Sequence, residues 1–82
     1  MVKVAFGHQF QRVFSKIKDN LVKDKIIKQI SKIKSFPEVG KPMKHARKGT
    51  REIYLGSFRL SYCFIKEEDK IVFLDFYHKD EQ

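Results

Sequence analysis

Val2, Val4 and Phe6 alternate with Lys3 and Ala5, the period-two pattern of a short strand buried on one side. Gly7-His8 breaks it. From there Phe10, Val13, Phe14 and Ile17 fall at helical spacing, with Gln11, Arg12, Lys16 and Lys18 on the opposite side. Asp19-Asn20 offers a break and a helix cap. Leu21, Val22, Ile26, Ile27, Ile30 and Ile33 then predict a longer helix of about four turns. Its exposed positions are Lys23, Asp24, Lys25, Lys28, Lys32 and Lys34. Pro37 and Gly40 end the pattern, because proline lacks the backbone donor and glycine frees the chain.

Residues 36–50 have no clear period and read as a basic loop. Three strands follow. Arg51 to Leu55 meets Phe58 to Ile65 across Leu55-Gly56-Ser57-Phe58, a hairpin signal in which glycine supplies the unusual dihedral. Phe58, Leu60, Tyr62 and Phe64 share one face of the middle strand; Arg59, Ser61, Cys63 and Ile65 share the other. The turn Lys66-Glu67-Glu68-Asp69 leads into Ile71 to Tyr77. That last strand is apolar on both faces, which predicts a central position, covered by helices on one side and by something else on the other.

The order is therefore β-α-α-β-β-β. Both helices must bury their apolar stripes against one face of the sheet, which gives an α+β sandwich of two layers. The first strand has to pair with one of the later three. No repeat, low-complexity tract or linker interrupts residues 1–82, so the expectation is a single domain.

Charge adds a second layer to this picture. The 82 residues carry 18 Lys plus Arg against 10 Asp plus Glu, a formal charge of +8. Residues 1–50 hold 13 of the basic residues and three acids; the remainder hold five and seven. Such a field suits a polyanion: nucleic acid, a ribosome, an acidic protein or anionic lipid. A chain this short buries a small share of its surface, so its stability is expected to be modest or helped by a partner. No apolar run is long enough for a transmembrane helix, and the N-terminal apolar stretch is too short for a signal peptide. The expectation is a soluble, cytoplasmic protein. A single cysteine, Cys63, excludes an intrachain disulfide and a multi-cysteine zinc site.

Lys41, Lys44, His45, Arg47, Lys48 and Arg51 crowd into eleven residues before the hairpin, with Glu52 the closest acid. Phosphates could neutralise them, with release of counterions; a solvated lysine-rich surface is the plainer reading. Arg59, inside a strand, needs a carboxylate, a phosphate or water on its own face. Its fork binds phosphate oxygens in pairs and suits the stabilisation of a phosphorane. A cross-strand pair with Asp75 or Glu52 would satisfy it equally. His78-Lys79 closes the last strand, where histidine suits proton transfer near neutrality, and Tyr77 beside it could stack on a base. A histidine near a terminus is more often plain surface.

His8, His45, His78 and Cys63 show no metal-ligand spacing. No glycine-rich phosphate loop, Gly-x-Ser-x-Gly or His-Glu-x-x-His is present. No acidic pair sits where a magnesium-dependent nuclease would want one, since Asp75 is isolated in its strand. Any cleavage of nucleic acid would then run through cations and a protonatable group, without metal or other cofactor. RNA fits that chemistry, because its own 2′-hydroxyl can attack the adjacent phosphate.

The segment Arg51-Glu-Ile-Tyr-Leu-Gly-Ser-Phe-Arg-Leu-Ser-Tyr62, followed by Ile71-Val-Phe-Leu-Asp-Phe-Tyr-His-Lys79, resembles the RelE/ParE superfamily of toxin-antitoxin modules. The most specific piece is Leu55-Gly56-Ser57-Phe58-Arg59-Leu60. The resemblance implies a RelE-like fold and a toxin that enters the ribosomal A site and cuts mRNA without metal. It implies a RelB-like acidic antitoxin that wraps the toxin in a hetero-oligomer and masks its basic surface, and no membrane. Arg59 matches the arginine that follows the turn and contacts the scissile phosphate; Lys79 or His78 matches the basic residue closing the last strand. Lys41, Lys44, His45, Arg47, Lys48, Arg51 and Tyr77 would hold RNA. The chain departs from the pattern in carrying Glu52 and Tyr54 where RelE-type enzymes often place Lys or Arg, and in lacking a C-terminal tyrosine. A ParE-like gyrase inhibitor without catalysis, or an inactive binding relative, stand as alternatives.

Overall fold

The computed structural model describes residues 2–46 and 48–81. Strand β1 (Lys3–Phe6) leads into helices α1 (His8–Lys16) and α2 (Asn20–Ser35). Strands β2 (Lys41–Pro42), β3 (Thr50–Leu55), β4 (Phe58–Ile65) and β5 (Lys70–His78) follow. They form one sheet in the order β1-β5-β4-β3-β2. β1 runs parallel to β5, and the other pairs are antiparallel. This is the two-layer α+β sandwich that the hydrophobic pattern predicts.

The predicted breaks are where the backbone needs them. The Asp19 carboxylate accepts the Leu21 N–H at 2.9 Å and caps α2, and Lys32 and Lys34 in its last turn face the negative end of the helix dipole. Gly56 opens the hairpin turn with φ 61, a left-handed angle that other residues adopt only with strain. One element in the region read as a loop was not anticipated. Lys41 and Pro42 pair with Glu52 and Arg51 as a two-residue edge strand. So short a strand carries no alternation, and its proline is tolerated because an edge needs fewer ladder donors.

The last strand is interior, flanked by β1 and β4, while the middle position of the five belongs to β4. Its apolar run has a specific cause. Ser61 opposes Asp75 but Tyr62 opposes Phe73, so Leu74 is an extra residue in the ladder. The bulge switches the parity of β5: Ile71 and Phe73 point toward the helices before it, Phe76 after it. No helix covers the other face among the described residues; only the segment after β2 leans over part of it.

The core joins Phe10, Ile26 and Ile33 of the helices to Leu60, Tyr62, Ile71, Phe73 and Phe76 of the sheet. Tyr62 is the polar member, fully buried. Its hydroxyl accepts the Gly40 N–H at 2.9 Å and donates to the Pro37 carbonyl at 2.7 Å. Arg51, opposite Tyr62 in the ladder, donates to the carbonyls of Glu38 and Gly40 at 2.9 and 2.7 Å. Together these two side chains hold the 37–40 segment, and a Cβ on Gly40 would lie 2.7 Å from the Tyr62 hydroxyl. Burial pushes the Tyr62 phenol above its usual 10.0; the Gly40 N–H and the Arg51 charge oppose that rise, and Glu38 adds to it.

Tyr62→Phe should leave a buried N–H and a carbonyl without their partner and lower unfolding free energy in urea by about 1–3 kcal/mol. A loss under about 0.5 kcal/mol would mean the segment is held by other contacts. Because the folded phenol binds its proton more tightly than the unfolded one, stability should be insensitive to this group below its ordinary value of 10.0 and fall as pH rises above it. The phenylalanine variant should lack that alkaline component.

Candidate nucleic-acid interface

Strand alternation turns Arg59, Ser61 and Cys63 of β4 away from the helices, and the ladder arranges their neighbours in rows across the open face. Tyr54, Arg59 and Tyr77 are successive partners on β3, β4 and β5. Two residues along, Lys41, Glu52, Ser61 and Asp75 make a second row. Adjacent strands lie about 4.8 Å apart, so each row sets its side chains side by side.

Contacts within and between the rows fix several of these groups. The Arg59 guanidinium carbon lies 3.9 Å from the centre of the Tyr54 ring, and its Nη1 donates to the Gly56 and Phe58 carbonyls at 3.1 and 3.0 Å. The Tyr77 hydroxyl donates to Glu52 Oε2 at 3.0 Å, tying one row to the other. Asp75 Oδ1 accepts the Phe76 N–H at 2.8 Å. Over these rows arches the segment 41–46, enclosing an open cleft of about 820 Å³. Lys41, Lys44 and His45 line it from the loop; Glu52, Tyr54, Asp75 and Tyr77 line it from the sheet. Cations, aromatic rings and protonatable groups thus meet in one groove, able to hold phosphate, stack a base and move a proton.

The fold brings together Lys41, Lys44, His45 and Tyr77 of the residues expected from sequence, with Arg59 on the same face. Other expected residues lie elsewhere. Arg51 is turned to the helix side of the sheet, where the carbonyls of Glu38 and Gly40 occupy its Nη1. His78 also points to that side: its ring stands edge-on to Phe58 at 5.3 Å, and its Nδ1 lies 3.4 Å from Asp80 Oδ2. Arg59 and His78 are therefore on opposite faces, as their register demands. Lys79 is exposed beside the hairpin, where its N–H donates to the Ser57 carbonyl at 2.8 Å. Lys48 is exposed in the turn before β3, and Arg47 lies outside the described residues.

Arg59 makes neither of the cross-strand carboxylate pairs considered for it; the Tyr54 ring takes that place. Glu52 and Asp75, separate in sequence, line one cleft. The first of these was legible. A two-residue turn at Gly56-Ser57 sets Leu55 opposite Phe58, hence Tyr54 opposite Arg59 and Glu52 opposite Ser61. Asp75 was not, because the bulge at Leu74 decides which face it takes. Among the described residues no group of three or more His, Cys, Asp or Glu side chains is placed to hold a metal ion. No described helix is long and apolar enough to cross a membrane.

Tyr77→Phe should lower stability by about 1 kcal/mol by removing the bond to Glu52. Urea unfolding would measure it, and no change would mean that this bond does not hold the two rows together.

Comparison with known proteins follows the same lines. Residues 4–82 match the family model of the ParE toxin of the type II toxin-antitoxin system parDE. No curated protein sequence matches the chain. Several solved structures share its fold. The toxin of the intact Escherichia coli RelBE complex superimposes with a TM-score of 0.81 at 16% identity, over 95% of this chain and 96% of that one. The RelBE2 complex of Mycobacterium tuberculosis gives 0.77 at 24% identity, over 94% and 96%. A metal-bound toxin from Helicobacter pylori gives 0.67 at 18%, over 99% and 98%. At these identities the likeness speaks for the fold.

Proposed function

The chain belongs to the ParE toxin family of the RelE/ParE superfamily, and from that membership and the open-face cleft we propose that it is a toxin that cleaves mRNA on the ribosome. The observation that carries the reading is the row Tyr54–Arg59–Tyr77 beneath a basic loop. A ribonuclease needs a cation at the scissile phosphate, rings for the flanking base, and groups to exchange protons. Arg59 supplies the first, with Lys41 and Lys44 across the cleft. Tyr54 and Tyr77 supply the second.

Cleavage through the RNA's own 2′-hydroxyl requires a base to take that proton and an acid to protonate the departing 5′-oxygen. The protonatable groups lining the cleft include His45, Glu52 and Asp75; Tyr77 is bonded to Glu52, and Asp75 accepts the Phe76 N–H, which leaves His45 and Glu52 as the pair. We assign proton transfer to this pair in preference to His78, which lies across the sheet from Arg59. The positive phosphate-binding groups then stabilise charge that grows in the transition state, with no other cofactor required.

The partner in this reading is an acidic antitoxin. Solved complexes of RelE toxins carry RelB antitoxins, and the cationic loop over the cleft suits an acidic segment laid along it. Action on ribosomes places the protein in the cytoplasm. A second reading, inhibition of DNA gyrase by binding alone, is favoured by one observation: the matching family model is that of the ParE toxin.

The two separate in a cell-free translation reaction with mRNA ends mapped by primer extension. Wild-type protein should cut inside ribosome-bound codons, and Arg59→Ala should reduce cutting by at least about 100-fold, with thermal unfolding little changed. His45→Ala should also impair cutting, whereas His78→Ala should largely preserve it. Intact mRNA together with inhibition of supercoiling by purified gyrase would overturn the ribonuclease reading in favour of the second.

A further inference from the structure

The cleft does not hold most of the protein's charge. Residues 8–36, which form the helical layer, carry eight Lys or Arg and two acids, a net of +6 out of the chain's +8. One of those acids, Asp19, is engaged as the α2 cap. The apolar stripe of α2, with Val22, Ile26, Ile30 and Ile33, packs against the sheet face opposite the cleft. Its outward face therefore lies on the far side of the molecule.

On that outward face Lys25, Lys28 and Lys32 recur at intervals of three and four residues, all exposed. Helical geometry puts them in one row about 10 Å long. Among the described residues no ion pair engages any of the three. Like charges at this spacing repel; Asp24, one turn before Lys28, is the one acid of α2, and among the described residues no ion pair joins it to the row. A row of this kind is satisfied by an external array of anions.

We propose that the outer face of α2 is a second docking surface, for the phosphate backbone of double-stranded RNA. The proposal builds on the RNA reading of the cleft but uses different residues and a different form of RNA. Three features choose this occupant. A membrane would require a contiguous apolar face to insert, whereas the stripe of α2 packs on the sheet and its exposed apolar residues are the separate Leu21 and Ile27. A protein interface has a core depleted in lysine and rich in aromatic groups, whereas this row is lysine. Direct reading of a DNA major groove calls for Arg, Asn or Gln at base edges. Lysines alone read phosphates, and duplex RNA is held mainly through its shape and backbone.

The test uses the full chain and its Lys25→Gln/Lys28→Gln/Lys32→Gln variant, whose helix propensity is nearly unchanged. Binding is followed by fluorescence anisotropy across a salt series, with a 20-base-pair RNA duplex, an unstructured single-stranded RNA, the matching DNA duplex and anionic phosphatidylserine vesicles. For duplex RNA the variant should bind at least about tenfold more weakly at low salt, and the slope of log affinity against log salt should shrink by about 2.7, the value for three lost phosphate contacts. Single-stranded RNA should bind the variant as it binds wild type, and should instead be weakened by Lys41→Gln/Lys44→Gln.

Unchanged duplex binding and slope in the triple variant would overturn the proposal, as would a wild type that prefers vesicles or DNA to duplex RNA. Loss of single-strand binding with duplex binding intact would count against the cleft reading and leave this surface standing. Circular dichroism of the variant should match wild type; a collapsed helix signal would call for Lys28→Gln alone, expected to shrink the slope by about 0.9.

Discussion

The basic segment that borders the open face is anchored from the helix side of the sheet by one buried hydroxyl. Tyr62 reaches from the middle strand through the core to the segment leaving α2, where it accepts from Gly40 and donates to Pro37. A tyrosine in such a place needs both bonds, since an unsatisfied hydroxyl in an apolar core is costly. Arg51 adds two more bonds to the same segment from the neighbouring strand. The consequence is positional. With residues 37–40 fixed, Lys41 and Pro42 emerge in register with Glu52 and Arg51, and the basic segment that follows is delivered over the sheet. A residue that looks like ordinary core thus determines where the cations stand.

Arg51 shows the cost of reading function from residue type alone. In sequence it is one more cation in a basic run, a natural phosphate ligand. Its strand position puts it on the helix side, and its guanidinium is spent on backbone carbonyls. Lys41, ten residues earlier, has the opposite history: nothing in its surroundings predicts a strand, yet pairing with Glu52 places it in the polar row of the cleft.

Much of the architecture was legible because period and punctuation agreed. Asp19 caps the helix it was expected to cap, and Gly56 turns the hairpin with a positive φ. The fold class follows from two helices whose stripes need a common sheet face. What escaped the sequence depends on long-range geometry. Leu74 bulges because the ladder between β4 and β5 slips by one residue, and no local signal marks it. That slip decides that Phe76 and His78 face the helices while Asp75 and Tyr77 face the cleft. Alternation counted from Ile71 without the bulge puts every residue after Leu74 on the wrong side. The pairing of Arg59 with His78 fails for a simpler reason: Arg59 is the ladder partner of Tyr77, so His78 must point the other way.

The division of charge between the two faces of the molecule has a physical logic of its own. The cleft is not uniformly cationic: Glu52 and Asp75 line it together with Lys41 and Lys44, so cations stand beside proton acceptors. Their presence weakens the attraction of the cleft for a polyanion. A large positive field placed elsewhere restores long-range steering without altering the chemistry of the groove. The helical layer is where such a field can be carried at least expense, because its inner stripe supplies the packing and its outer face is free to hold lysine. Residues 8–36 hold six of the eight net charges under this arrangement. The acid-containing cleft and the lysine-rich helical face thus lie on opposite sides of one sheet, and a substitution on one need not disturb the other.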